Sequence, residues 1–141
     1  MEESEKENLY LTFKGAIASI IEDKLKNPKR VKLINKFKIR LNLGLQIEED
    51  YYYWLNVVAE NGIYKLERGK LEDFDLLVLV VPDDLLYWLN GHYSTIHMTT
   101  KKNKFGKTKF RFGKSSDGKR NTKLLLKLPK VLVLDKIQSE K

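Results

Sequence analysis

The chain contains no cysteine, which rules out both a disulfide framework and a thiolate metal site. Its only two histidines, His92 and His97, are five positions apart, a spacing that puts them on different faces of a helix. No apolar run approaches the roughly 20 residues that a membrane-spanning helix requires. The first eight residues, Met1 to Asn8, are rich in glutamate and lack the apolar stretch of a secretory signal. These absences make the cytoplasm the default address. Acids are missing altogether from residues 24–40.

What is present suits one globular core. At 141 residues, 42% hydrophobic and 33% charged, the chain has the size and composition of a single domain. We place that domain at residues 9–134 and expect 1–8 and 135–141 to be flexible tails. Charge is distributed unevenly. Residues 24–40 hold eight basic side chains, and residues 101–130 hold twelve against the single acid Asp117. The stretch 48–84 reverses this, with ten acids and three bases. Such asymmetry steers an anionic partner, either phospholipid headgroups or nucleic acid, unless the lysines simply form solvated faces.

Hydrophobic periodicity outlines the elements. Phe13, Ile17, Ile20, Ile21 and Leu25 recur at helical spacing. Asn27-Pro28 pairs a capping side chain with a proline suited to the first helical position, so a short basic helix follows over 29–36. The period then drops to two: Phe37, Ile39, Leu41, Leu43, Leu45 and Ile47 alternate with polar residues or glycine, as in a strand with one dry face. Three further strands are predicted at 51–59, 63–68 and 74–81, with Asn61-Gly62 supplying a tight hairpin turn. Short links make an antiparallel meander the expectation for at least three of the four. The apolar run 74–81 suggests a strand covered on both faces. Pro82-Asp83-Asp84 opens a helix that Asn90-Gly91 closes. A fifth strand is predicted at 107–112, then a polar loop over 113–121 as the most mobile internal segment. A C-terminal helix starts at Asn121 or Thr122 and runs to Leu128, where Pro129 interrupts it.

Catalytic signatures fail on spacing. Gly106-Lys107-Thr108 and Gly113-Lys114-Ser115 resemble the end of a phosphate loop, but the glycine required five residues earlier is replaced by Lys101 and Thr108. Asp73 and Asp75 read as solvated carboxylates at a strand start rather than metal ligands. Ser94 stands between the two histidines without a nucleophile-elbow sequence or an orienting acid. The abundance lies elsewhere, in large apolar side chains: Tyr51 to Trp54, Tyr87-Trp88, Phe105, Phe110, Phe112 and Leu124 to Leu126. Together they exceed what a small core needs and are suited to line an apolar ligand cavity.

In the order of its elements the chain resembles the sterol carrier protein type 2 family. The closest passage is Leu76-Leu77-Val78-Leu79-Val80-Val81-Pro82-Asp83-Asp84-Leu85-Leu86-Tyr87-Trp88-Leu89-Asn90-Gly91, with the strand, acidic helix start, leucine-rich helix and closing glycine of that family. Residues 105–113 are similar to its Phe/Gly-Lys-x-Lys-Ile-x-Gly strand with one residue added, and 124–134 stand where it has an apolar C-terminal segment. The loop 114–120 is longer and more basic than the family pattern, and 93–104 lacks its small apolar residues. The resemblance implies an α+β fold: a five-stranded, largely antiparallel sheet covered by N-terminal, middle and C-terminal helices. It also implies a cavity between sheet and helices that takes a fatty acyl chain, acyl-CoA, sterol or phospholipid. The positions that match its wall are Leu76, Val78, Leu85, Trp88, Leu89, Phe105, Phe110, Leu125 and Leu128.

The reading is therefore a non-enzymatic lipid-binding or lipid-transfer protein without cofactor or metal. Its basic surfaces are expected to dock on anionic membranes through Lys29, Arg30, Lys101, Lys102, Lys104, Lys119 and Arg120. The alternative is a nucleic-acid-binding protein that uses the basic segment 101–123 with Phe105, Phe110 and Phe112 as stacking groups. A third reading, an accessory domain of other proteins, is less suited to a chain with such short tails.

Overall fold

The computed structural model describes residues 1–135. The first helix, α1 (Glu3–Leu25), begins before the predicted domain start at residue 9, so residues 3–8 are helical. The predicted tail 135–141 falls outside the described residues except for Asp135. α1 buries Phe13, Ile17, Ile20 and Ile21 as the spacing predicts. At its last turn the prediction fails: Leu25 is exposed, and Lys24 takes the buried position. Asn27 caps α2 (Pro28–Lys36) by accepting from Lys29 N at 3.0 Å.

Strands β1 (Ile39–Glu48), β2 (Tyr51–Glu60) and β3 (Ile63–Arg68) form the antiparallel meander. Asn61 and Gly62, with φ of 55° and 79°, turn the second hairpin as their sequence indicates. The meander ends there. Strand β4 (Leu76–Val80) lies on the other side of β1 and runs parallel to it, and β5 (Arg111–Gly113) pairs antiparallel with β4. The sheet order is thus β3-β2-β1-β4-β5, mixed but mostly antiparallel. β5 is much shorter than the predicted strand.

Paired residues share a face of the pleat. Leu41, Leu43 and Leu45 stand beside Val57, Leu55, Leu76, Val78 and Val80, and this face carries the helices. The opposite face bears Asn42, Gly44, Gln46, Trp54, Asn56, Leu77 and Leu79. β4 is therefore buried only at alternate residues, not on both faces as predicted. Asn42 and Asn56 are buried there because loop carbonyls satisfy them: Asn42 Nδ2 donates to Leu71 O and Asn56 Nδ2 to Gly69 O, each at 3.0 Å.

Helix α3 (Pro82–Leu89) follows β4 and stops at Gly91, whose φ of 80° suits glycine. The ambiguous stretch that follows contains α4 (Thr95–Thr100), capped by Ser94. The C-terminal α5 (Thr122–Leu132) continues through Pro129 instead of ending at Leu128. Proline has no amide proton, so the helical bond from residue 129 to the Leu125 carbonyl is missing there.

Candidate functional site

Eight of the nine predicted wall residues divide between two places. Val78, Leu85, Trp88, Leu89, Phe110 and Leu128 converge on one seam between the sheet and α1, α3 and α5, together with Ile17, Leu41, Leu43 and Leu132. Trp88 and Phe110 meet there edge to face, with centroids 5.0 Å apart, and Trp88 Nε1 donates to Thr95 Oγ1 at 3.0 Å. The seam is entirely apolar but closed: its free volume is about 10 Å³, room for one water at most. These side chains act as core in this conformation, where the sequence reading expected an open cavity.

Leu76 and Leu125 lie at the end of that seam, on an open hollow of about 520 Å³. Its walls are Leu76 at the start of β4, Phe112 and Gly113 on β5, Leu125 and Thr122 on α5, and Lys114, Arg120 and Asn121 from the loop between them. Phe112 is opposite Val78 in the ladder, so it stands on the helix-bearing face of the sheet. As the last strand has no neighbour beyond it, Phe112 keeps 38% of its surface exposed. Its ring centroid is 5.6 Å from that of the buried Phe110, which links the hollow to the seam. Apolar side chains thus line one part of the hollow and two cations the other. The ninth residue, Phe105, is half-buried in the turn before β5 with Lys104 Nζ 5.3 Å from its ring, and lines neither space.

The loop bordering the hollow is stitched down. Ser116 N donates to Phe74 O at 2.9 Å, and Ser115 N to Lys119 O at 2.9 Å. The Ser115 hydroxyl donates to Asp117, holding that carboxyl below its ordinary range. Asn121 occupies the N-cap position of α5 but does not cap it; its amide donates to Asp75 O. Loop and helix start are thereby tied to residues 73–75, which the polar composition of 113–121 did not announce.

The predicted docking cations do not share one surface. β1 and β4 are parallel, so their starts lie at one end of the sheet and their ends at the other. Arg120 belongs to the hollow at the start of β4, following Lys119 in the loop. Lys104 lines a different hollow, of about 360 Å³, at the opposite end beside Gln46, Ile47, Val81 and Pro82. Lys101 and Lys102 precede it in the same exposed segment. Arg30 is paired with Asp135 at 3.4 Å, and Lys29 is exposed beside it in α2. Two further cations of the basic stretch are structural. Lys109 Nζ contacts Asp84 Oδ1 at 2.9 Å, both side chains nearly buried, and Arg111 donates to Gln46 Oε1 at 2.6 Å and Tyr52 Oη at 3.0 Å. Phe110, a proposed stacking group of the nucleic-acid alternative, is in the core.

Ser94 Oγ accepts from His97 N at 3.0 Å as a helix cap, and His97 stacks on Tyr93 with centroids 4.1 Å apart. Among the described residues, no three His, Asp or Glu side chains are grouped to hold a metal. No helix among them is long and apolar enough to cross a membrane.

The five-stranded mixed sheet with helices packed against it is an α+β fold of the sterol carrier kind. Among solved structures the chain is similar to the solution structure of the sterol carrier protein domain 2 of Helicoverpa armigera, with a TM-score of 0.56 over 86% of this chain and 89% of that one. Sequence identity is 13%, so the likeness is one of fold. No protein-family model and no curated protein sequence matches the chain.

Proposed function

We propose that this protein is a non-enzymatic binder of an amphipathic lipid, a fatty acid or a lipid with an acyl chain and an anionic head. The observation that carries the reading is the hollow between β5 and α5, where Leu76, Phe112 and Leu125 face Lys114 and Arg120. Apolar walls with a few convergent polar groups suit such a ligand. The head group pairs with the two cations, and the first methylenes lie against Phe112 and Leu125. The rest of the chain follows the apolar seam, which widens when α5 moves away from the sheet. Gaps in helical hydrogen bonding such as the one at Pro129 are where helices bend. The fold supports this reading through its sterol carrier relative, and basic surfaces are then available for contact with anionic membranes.

The test is uptake of a fluorescent fatty acid by the purified protein. Binding that falls at least about tenfold in Leu125→Glu is the expected result, because the new carboxylate meets both tail and head. Arg120→Glu should weaken a fatty acid but not an uncharged acyl alcohol. Trp88→Ala is a poor probe, since truncating a fully buried tryptophan costs about 3–5 kcal/mol of folding stability by itself. No uptake of any acyl probe, and no lipid in denatured extracts of the native protein, would overturn the proposal.

A further inference from the structure

We infer that the outer face of α5 and the adjoining loop form the surface that docks on an anionic lipid bilayer, placing the mouth of the hollow against the membrane. The inference rests on the lipid-binding reading and deepens it by naming the contact surface. Lys123, Lys127 and Lys130 are all exposed on α5, and the same helix shows Leu126 with 68% of its surface bare. Positions 123, 126, 127 and 130 fall on one side of a helix, so one exposed leucine is bordered by three ammonium groups. α5 contains no acid. Lys114, Lys119 and Arg120, also exposed, extend the basic surface along the loop to the hollow.

The acids nearby are engaged. Asp117 is held by Ser115 and lies 3.8 Å from Lys119 Nζ. Asp75 accepts from Arg40 N at 2.9 Å, Asp73 from Ser116 Oγ at 3.1 Å, and Asp135 is paired with Lys24 and Arg30. Six cations stand against Asp73, Asp75 and Asp117, while Asp135 is paired with cations outside the six, so the surface keeps a net positive charge complementary to anionic headgroups. Leu126, with the half-exposed Phe112 at the hollow, favours lipid over nucleic acid, because an apolar side chain gains by entering the acyl boundary and nothing on a phosphate backbone receives it. The other basic segment, Lys101 to Lys104, is at the opposite end of the sheet. Both segments cannot face one flat bilayer.

Co-sedimentation with vesicles of phosphatidylcholine and phosphatidylserine tests this, on the full chain. The triple variant Lys123→Gln, Lys127→Gln, Lys130→Gln is expected to lose at least about tenfold in vesicle affinity, and Leu126→Ser to weaken it without changing its salt dependence. Lys101→Gln with Lys102→Gln and Lys104→Gln should leave it within about twofold, and far-ultraviolet circular dichroism checks that each variant is folded. The triple variant should still take up a fluorescent fatty acid in the absence of vesicles. Vesicle binding that survives the α5 variant but is lost in the 101–104 variant overturns the assignment. Fatty acid uptake with no vesicle binding also overturns it, while leaving the lipid-binding reading intact. A single-stranded oligonucleotide bound in preference to vesicles overturns it in favour of nucleic acid.

Discussion

Lys24 Nζ donates to Asp135 Oδ1 at 2.9 Å from a side chain that is wholly buried, and so ties the end of α1 to the chain just beyond α5. The carboxylate keeps 27% of its surface and also receives Arg30 at 3.4 Å. A second tie lies one residue earlier, where Leu134 N donates to Leu89 O at 2.8 Å. The far end of α5 is therefore fastened, while its start borders the open hollow.

Removing the carboxylate leaves a buried ammonium without its counter-ion. Asp135→Asn should cost about 2–4 kcal/mol, somewhat less than a fully buried pair because Asp135 reaches solvent. Lys24→Met, which removes the charge and keeps the aliphatic stem, should cost no more than about 1 kcal/mol. Urea unfolding of the two variants measures the difference. If α5 swings to admit a lipid tail, Asp135→Asn should also accelerate uptake of a fluorescent fatty acid in stopped flow, and an unchanged rate would show that the helix end is not the part that moves.

Gly44 stands under the indole of Trp54, on the face of the sheet opposite Leu43 and Leu45. A β-carbon there would lie 2.9 Å from Trp54 Cη2 and 2.6 Å from Leu79 Cδ2. Gly44→Ala should lower stability by about 1–3 kcal/mol through overpacking. Adding Trp54→Leu should recover part of that loss, a non-additivity that a double-mutant cycle in urea detects.

Tyr64 hydrogen-bonds Ile34 O at 2.9 Å, and burial pushes its hydroxyl from the ordinary value near 10 up to about 12. The unfolded chain therefore loses this proton at lower pH than the folded one. Stability should fall as pH rises from about 10 to about 12 and be flat with respect to this group below that window. Tyr64→Phe should abolish this part of the alkaline loss. Guanidinium midpoints across that range, compared between the two proteins, provide the check.

The sequence exposed the local structure well and the long-range structure poorly. Alternation in 39–47, the Asn61-Gly62 turn and the Asn27-Pro28 cap each act within a few residues, so they are visible without a partner. Nothing in the run 76–80 says that it pairs parallel with β1, because alternation fixes which face a side chain takes and not which strand lies alongside. Lys24 looked like one more surface cation because its partner is Asp135, 111 residues away. Lys109, one of the twelve cations of 101–130, likewise has a distant partner, Asp84 in the first turn of α3, 25 residues earlier. At the site, the wall residues were identified by type, yet side-chain type does not tell a filled seam from an empty one. Phe112 and Lys114 become legible as site residues only once β5 is seen to be the sheet edge.

The most direct measurement is isotope-filtered NMR of the protein with a carbon-13-labelled fatty acid, reading which side chains lie within nuclear Overhauser range of the acyl chain. The account predicts contacts from the acyl methylenes to Phe112, Leu76 and Leu125, continuing to Val78 and Leu128 as the seam opens. Acyl contacts confined to the hollow beside Lys104 and Ile47, or none to any side chain between α5 and the sheet, would contradict it.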